Sequence, residues 1–309
     1  MTLAELVKPH ATVTVVGLAK NAGKTTVVNH LLERMVGRVG LASLGLDGEA
    51  KDQLTGRAKP RIAPPAGALV LTTTQLRGQT PVVRELPFRT AAGEVVVVAA
   101  GGGEAVVVSG PTRLDELDQA LAAVRSAGAE RLLLEGALGR LGTAAPGRAD
   151  AVVLAAGASL AEGGDDLALR LRLAIDALDL PVAGAEPDAV LERAAGFEAE
   201  AVGEVGDGAV AEIAGALTDP LLEALMREHR RATLVVADAT RVLAAGWTVA
   251  RARRAGVEIA VRQPLRIAAL TSSPFHPDGS RPAEEAFRAL VAASAGRWPV
   301  YDVVAGFAG

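Results

Sequence analysis

The stretch from Thr12 to Met35, TVTVVGLAKNAGKTTVVNHLLERM, constrains the fold of this chain more than any other. It opens with an apolar, β-branched run and turns through a segment bounded by Gly17 and Gly23. It then continues with Val27, Val28, Leu31, Leu32 and Met35 at helical spacing. Period two gives way to period 3.6 across the turn, which predicts a buried strand, a tight loop and a helix in direct succession. Gly17-Leu-Ala-Lys-Asn-Ala-Gly23-Lys24-Thr25 also fits the pattern G-x-x-x-x-G-K-[ST] at every fixed position. In that setting the free N–H groups at the helix start and the positive end of its dipole converge on one point, which suits a phosphate. Backbone N–H groups from Gly17 through Lys20, Asn21, Ala22 and Gly23 would cradle the phosphates, and Lys24 would reach the β- and γ-oxygens. The Thr25 hydroxyl would join the Mg²⁺ shell and Thr26 would contact the α-phosphate. For Lys20, added charge near the γ-phosphate competes with a plain solvent-facing loop lysine. The competing reading of the whole stretch is an ordinary glycine-containing strand-to-helix turn.

Elsewhere short β-branched runs alternate with longer helical patterns, the mark of a mainly parallel sheet with helices on its faces. Strands are expected at 12–17, 39–46, 130–135, 150–156, 180–185, 232–238, 266–272 and 299–304. Helices are expected at 111–127, closed by Gly128, and at 219–229, with Asp219 as N-cap and Pro220 in the first turn. Residues 81–109 break the alternation. PVVRELPF, EVVVVAA and EAVVVSG, separated by glycine-rich turns, read as an antiparallel meander inserted into or extending the sheet. Residues 186–217 read either as a small helical insertion or as a variable loop. The expectation is one elaborated α/β domain over residues 1–309: a mainly parallel, doubly wound P-loop NTPase sheet with an antiparallel β insertion.

A phosphate loop alone binds; hydrolysis also wants a carboxylate for Mg²⁺ and a group that orients water. Asp47, in ASLGLDGE, follows the second strand, and Glu135, in RLLLEGALGR, follows four apolar residues. Both belong at the carboxyl ends of strands, where ligands of open α/β sheets bind. Glu carries one methylene more than the usual Asp, so water-mediated metal contact or water activation stands beside direct coordination for Glu135. The polar loop after Asp47, with Glu49, Lys51 and Asp52, has the composition of a segment that senses the γ-phosphate. ALTSSPFHPDG, after a later strand, reads either as a contact to the nucleotide base or as a plain connection, and ADATRV (237–242) as a weaker version of the same. No N-K-x-D occurs, so ATP is the expected nucleotide, with GTP the alternative.

Composition removes several other function classes. The net charge of −4 and the scarcity of aromatic residues in 309 residues argue against nucleic acid as a partner. Arg227, Arg230 and Arg231, and Arg251, Arg253 and Arg254, read as solvated helix faces. With no cysteine, disulfides, thiolate metal sites and cysteine nucleophiles are excluded. No apolar run approaches the roughly 20 residues of a spanning helix, and the start lacks the pattern of a secretory leader. A cytoplasmic, membrane-free protein is expected.

The K-N-x-G-K-T-T wording of the loop resembles the MobB-like proteins of molybdopterin-nucleotide biosynthesis. Ala19 occupies the place where the ParA and MinD type of ATPase carries its signature lysine. Taken in order, GLAKNAGKTT, SLGLDGEAKDQLTGRAKPRI, LLLEGALGR and DAVVLAAGA, with the later TSSPFHP and YDV, resemble the P-loop subunit of the lysine 5,6-aminomutase reactivase over most of the chain. That resemblance implies ATP binding and hydrolysis that drive release of damaged cobalamin. Its implied partners are an adenosylcobalamin-dependent aminomutase and a second reactivase subunit. It also implies that the Asp47 loop, with Lys59 and Arg61 nearby, reports nucleotide state to the partner. A MobB-like adaptor with little turnover and a small-molecule kinase or ligase of the dethiobiotin-synthetase type are the alternatives.

Overall fold

A computed structural model of the chain describes residues 1–47, 61–160, 164–192, 202–276 and 282–308. The sequence reads as one elaborated domain; the chain gathers into two compact units, Met1–Leu167 with Ile267–Gly309, and Ala168–Arg266. The first unit begins with α1 (Leu3–Val7), β1 (Thr12–Gly17), α2 (Lys24–Arg34), β2 (Val39–Ser43), β3 (Leu46–Asp47) and β4 (Leu69–Thr73). β5 (Val82–Thr90), β6 (Gly93–Ala99), β7 (Val108–Ser109), α3 (Leu114–Ser126), β8 (Arg131–Ala137) and β9 (Ala151–Gly157) follow. Helix α4 (Gly164–Leu178) leads into the second unit, which carries β10 (Ala189–Leu191), β11 (Ala209–Ile213), α5 (Asp219–Arg227), β12 (Ala232–Val236), α6 (Gly246–Arg254) and β13 (Val257–Val261). The chain then returns with β14 (Ile267–Ser273), α7 (Glu284–Ala295), β15 (Val300–Asp302) and β16 (Phe307–Ala308).

The first unit is built on a mixed sheet in the order β16-β15-β14-β9-β1-β8-β2-β4-β6-β5. From β15 to β4 every neighbouring pair is parallel, while β16, β6 and β5 run antiparallel at the two margins. Parallel strands buried on both faces read as continuous apolar runs, and β8 shows how the two faces divide. Leu133 packs with Val13, Val15, Val27, Val28 and Leu31 under α1 and α2. Leu132 and Leu134 pack on the opposite face with Leu117, Leu121 and Val124 of α3. Helices therefore cover both faces, and the fold is α/β as the sequence pattern predicts.

Several expectations need correction. Of the three runs in 81–109, only β5 and β6 form a hairpin, and it extends the sheet from β4. The third run contributes β7, which pairs with β3 in a separate two-stranded sheet. The glycines at 101–103, two of them at positive φ, turn the chain away from the hairpin before that run begins. The predicted strand over 39–46 divides into β2 and β3, with Gly45 at a positive φ between them. The run at 180–185 makes only an isolated bridge, Val182 to Val261.

The second unit holds a four-stranded parallel sheet in the order β10-β11-β12-β13. Leu191, Ile213, Leu234, Val236, Ile259 and Val261 are buried in it, and Leu221, Leu222 and Leu225 of α5 with Val249 and Ala252 of α6 are buried beside them. Within 186–217, expected as a helical insertion or a variable loop, the described residues supply two strands, β10 and β11, and residues 193–201 lie outside the described residues. Thr218, not Asp219, occupies the N-cap position of α5, without a side-chain cap hydrogen bond; the Asp219 carboxylate accepts from the Ala245 N–H at 2.9 Å. Gly246 lies so close to α4 that a Cβ there would stand 2.8 Å from the Leu173 carbonyl oxygen.

Candidate functional site

The strand, loop and helix of the opening motif form as the sequence predicts: β1 ends at Gly17 and α2 begins at Lys24. Gly23 is the N-cap, at φ 89° and ψ 11°, a left-handed conformation that leaves no side chain to cap the helix. Asn21 is also left-handed, at φ 61°, so two of the three residues before α2 have positive φ. The N–H groups of Lys24, Thr25 and Thr26 stand in the first turn, where no intrahelical acceptor exists. The positive end of an 11-residue helix adds to them. Such an end attracts anions.

Lys24 folds back across the loop. A Cβ placed on Gly17 would stand 2.8 Å from both Cγ and Cδ of Lys24, so the aliphatic stem of the lysine lies directly on the glycine. Lys24, Thr25 and Thr26 are half-buried, Ala22 and Leu18 are buried, and Lys20 is exposed.

The rear of the loop rests on the carboxyl ends of β9 and β14. The Leu18 N–H donates to the Ala155 carbonyl at 3.0 Å, and the Ser159 hydroxyl donates to the Lys20 carbonyl at 2.6 Å. Gly157 at the end of β9 is so near the loop that a Cβ would lie 2.5 Å from Ala22 Cα. Across the ladder from Gly157 stands Ser273, the last residue of β14. A Cβ on Gly23 would lie 2.8 Å from Ser273 Cβ. Gly157 and Ser159 are supports that the sequence does not announce, and Ser273 lies in ALTSSPFHPDG, read above as a base contact or a plain connection, but serves here against Gly23. Their only signal was position, just past or at the end of an apolar strand run.

On the other flank of β1 stands β8, and Glu135 in it is level with Val15 of β1 and Ser43 of β2. Alternation along the strand puts Glu135 on the face of Leu133, the face that α2 covers. Its side chain is 1% exposed. A carboxylate buried at the carboxyl end of a parallel strand, on the side of the helix whose N-terminus closes the loop, can hold a cation or a proton there. Asp47 lies further along the same flank, in β3 opposite Val108. It is thus four residues beyond the end of β2, and its side chain lies outside the described residues, as do Glu49, Lys51, Asp52 and Lys59. Among the described residues no group of three or more His, Asp or Glu could hold a metal ion, and no helix is long and apolar enough to cross a membrane.

The far end of the segment after Asp47 is tied to α2. Asn29 donates through Nδ2 to the Arg61 carbonyl at 2.8 Å and accepts through Oδ1 from the Ala63 N–H at 3.1 Å. Ile62 between them is buried and bridges to Val106, just ahead of β7. The loop opens α2, the anchored segment rests on the same helix, and Glu135 stands on the strand beside β1. No protein-family model, curated protein or solved structure matches the chain.

Proposed function

We propose that this protein is a P-loop NTPase that binds and hydrolyses a Mg²⁺-nucleoside triphosphate, with ATP the expected base form, to remodel a partner protein. The observation that carries the reading is the fold-back of Lys24 onto Gly17 beneath an uncapped helix N-terminus. A lysine stem laid across the loop beside the free first-turn N–H groups of α2 suits an ammonium that reaches the β- and γ-phosphates of a nucleotide. Thr25, in the first turn of α2, and Glu135, buried on the adjacent strand, are oxygen donors of the kind Mg²⁺ prefers, and Asp47 is the further acid on that flank. Bound Mg²⁺ would neutralise charge on the phosphates; Glu135 would also hold or accept a proton from the attacking water.

The partner is proposed on the sequence resemblance: an adenosylcobalamin-dependent lysine 5,6-aminomutase, acting with a second reactivase subunit. The anchoring of residues 61–63 on α2 supports transmission of nucleotide state through that helix, because α2 begins at the phosphate loop.

Equilibrium binding of ATP and steady-state hydrolysis, with and without the aminomutase, test this reading. Lys24→Ala should weaken ATP on the order of a hundredfold or more, since charge-assisted bonds are worth about 1.5–3 kcal/mol each. Glu135→Gln should retain binding and lose hydrolysis. Wild-type protein that binds neither ATP nor GTP would overturn the proposal.

A further inference from the structure

If the site binds a nucleoside triphosphate as proposed, the sheet gives the nucleotide a direction. Glu135, in β8, lies on the β8–β2 flank of β1, and the backbone of Asp47 follows β2 four residues on, so the proposed metal and γ-phosphate end is assigned to that flank. The nucleoside must then leave the loop over the opposite flank, where β9 and β14 end. On that flank the chain runs from Ser273, in contact distance of Gly23, through Pro274 to Phe275. Two residues span at most about 7 Å, so the Phe275 backbone lies within that reach of the Ser273–Gly23 contact. Phe275 is 40% exposed, in a chain with only 3% aromatic residues, and Trp247 of the other unit is the other aromatic among the exposed large hydrophobics of the described residues.

We infer that Phe275 is the nucleobase platform of this site, stacking its exposed ring face on the base of the bound nucleotide. Several features favour stacking over edge recognition. Pro274 fixes the backbone φ on the approach to the ring, which limits its freedom before the ligand arrives. Ser273, packed on Gly23, ties the platform to the phosphate loop, so base and phosphates are positioned by one rigid edge. Every base has a π-face, and a lone aromatic platform holds purines with little choice between adenine and guanine. ATP and GTP should therefore depend on Phe275 to a similar degree.

The experiment compares ATP with inorganic tripolyphosphate, which presents the same phosphates and no base, each with Mg²⁺, by calorimetric titration. Wild type should bind ATP more tightly than tripolyphosphate. Phe275→Ala should weaken ATP and GTP roughly tenfold, within the range that stacking on an aromatic side chain supplies, and leave tripolyphosphate within about twofold. Phe275→Leu, which keeps apolar bulk, should lose most of the same affinity, and Phe275→Tyr should keep it. Retained tripolyphosphate binding shows that the loop of each variant is folded. The inference is overturned if wild type binds tripolyphosphate as tightly as ATP, if Phe275→Ala leaves ATP unchanged, or if both ligands weaken equally. Wild type that binds neither ligand overturns the nucleotide reading and this inference with it.

Discussion

Two glycines separate what is side-chain contact from what is backbone contact at the loop. A methyl added at Gly17 meets first Cγ and Cδ of Lys24 at 2.8 Å, atoms of a flexible side chain that can swing away, and less closely the Ala19 carbonyl oxygen of the loop backbone at 3.1 Å. Gly17→Ala should therefore act mainly by displacing Lys24, with only a small shift of the loop at Ala19: ATP affinity falls by roughly tenfold or more, from the loss of a charge-assisted contact, while the melting temperature falls less than in Gly157→Ala. A methyl at Gly157 meets the Cα of Ala22 at 2.5 Å, with Ala22 C at 3.2 Å, and neither atom can move without the loop backbone. Gly157→Ala should cost about 1–3 kcal/mol of stability as an overpacked site and weaken ATP binding as well. Thermal melts and titrations on both variants check the contrast, and equal melting temperatures would refute it. Gly17 was legible in the sequence because it is a fixed position of the motif. Gly157 was not, because its demand for a bare Cα comes from a loop more than a hundred residues earlier in the chain.

Among the elements, β1 and α2 formed where the sequence put them, since a buried strand and an amphipathic helix each carry their period locally. The misreadings lie where pairing is set by distant partners. β10 and β11 are short and rich in alanine, so their own residues favour strand only weakly; the ladder to β12 decides them. Asp219 looked like a cap because it precedes Pro220. Thr218, one residue earlier, takes that place, and Asp219 is engaged by an N–H from the start of α6. β7 left the expected meander to pair with β3, which sets Asp47 in a strand outside the main sheet. The tie between α2 and residues 61–63 was likewise invisible: Asn29 is an ordinary polar helix residue until the returning chain is seen. Its two hydrogen bonds are exposed, so Asn29→Ala should lower stability by about 1 kcal/mol, read as a lower urea midpoint at constant slope. Asn29→Asp keeps the acceptor for Ala63 but sets a carboxylate against the Arg61 carbonyl, and should do no better. An unchanged midpoint in Asn29→Ala would show that the tie contributes nothing to the folded state.

At the scale of the molecule the two units have separate cores: the second buries its own strands and helices, Leu221, Leu225, Ile259 and Val261 among them, in a sheet that shares no strand with the first. Separate cores predict separate opening, because local unfolding follows contiguous cooperative units. Gly246 offers a place to load the second unit alone. A larger residue there collides with the Leu173 carbonyl at 2.8 Å and with Leu173 C and Cβ at 3.1 Å, so the start of α6 or the body of α4 must yield. Gly246→Val should destabilise the second unit by about 1–3 kcal/mol. In native-state hydrogen exchange, the amides of β11, β12 and β13 should then lose protection while those of β1, β8 and β9 keep theirs. ATP affinity should hold as well, because the loop, Glu135 and Ser273 all belong to the first unit. Loss of protection in both sheets to the same extent would mean that the chain unfolds as one cooperative body. A change confined to β11 to β13 would make the second unit a module that can be altered, or can meet a partner, without disturbing the phosphate loop.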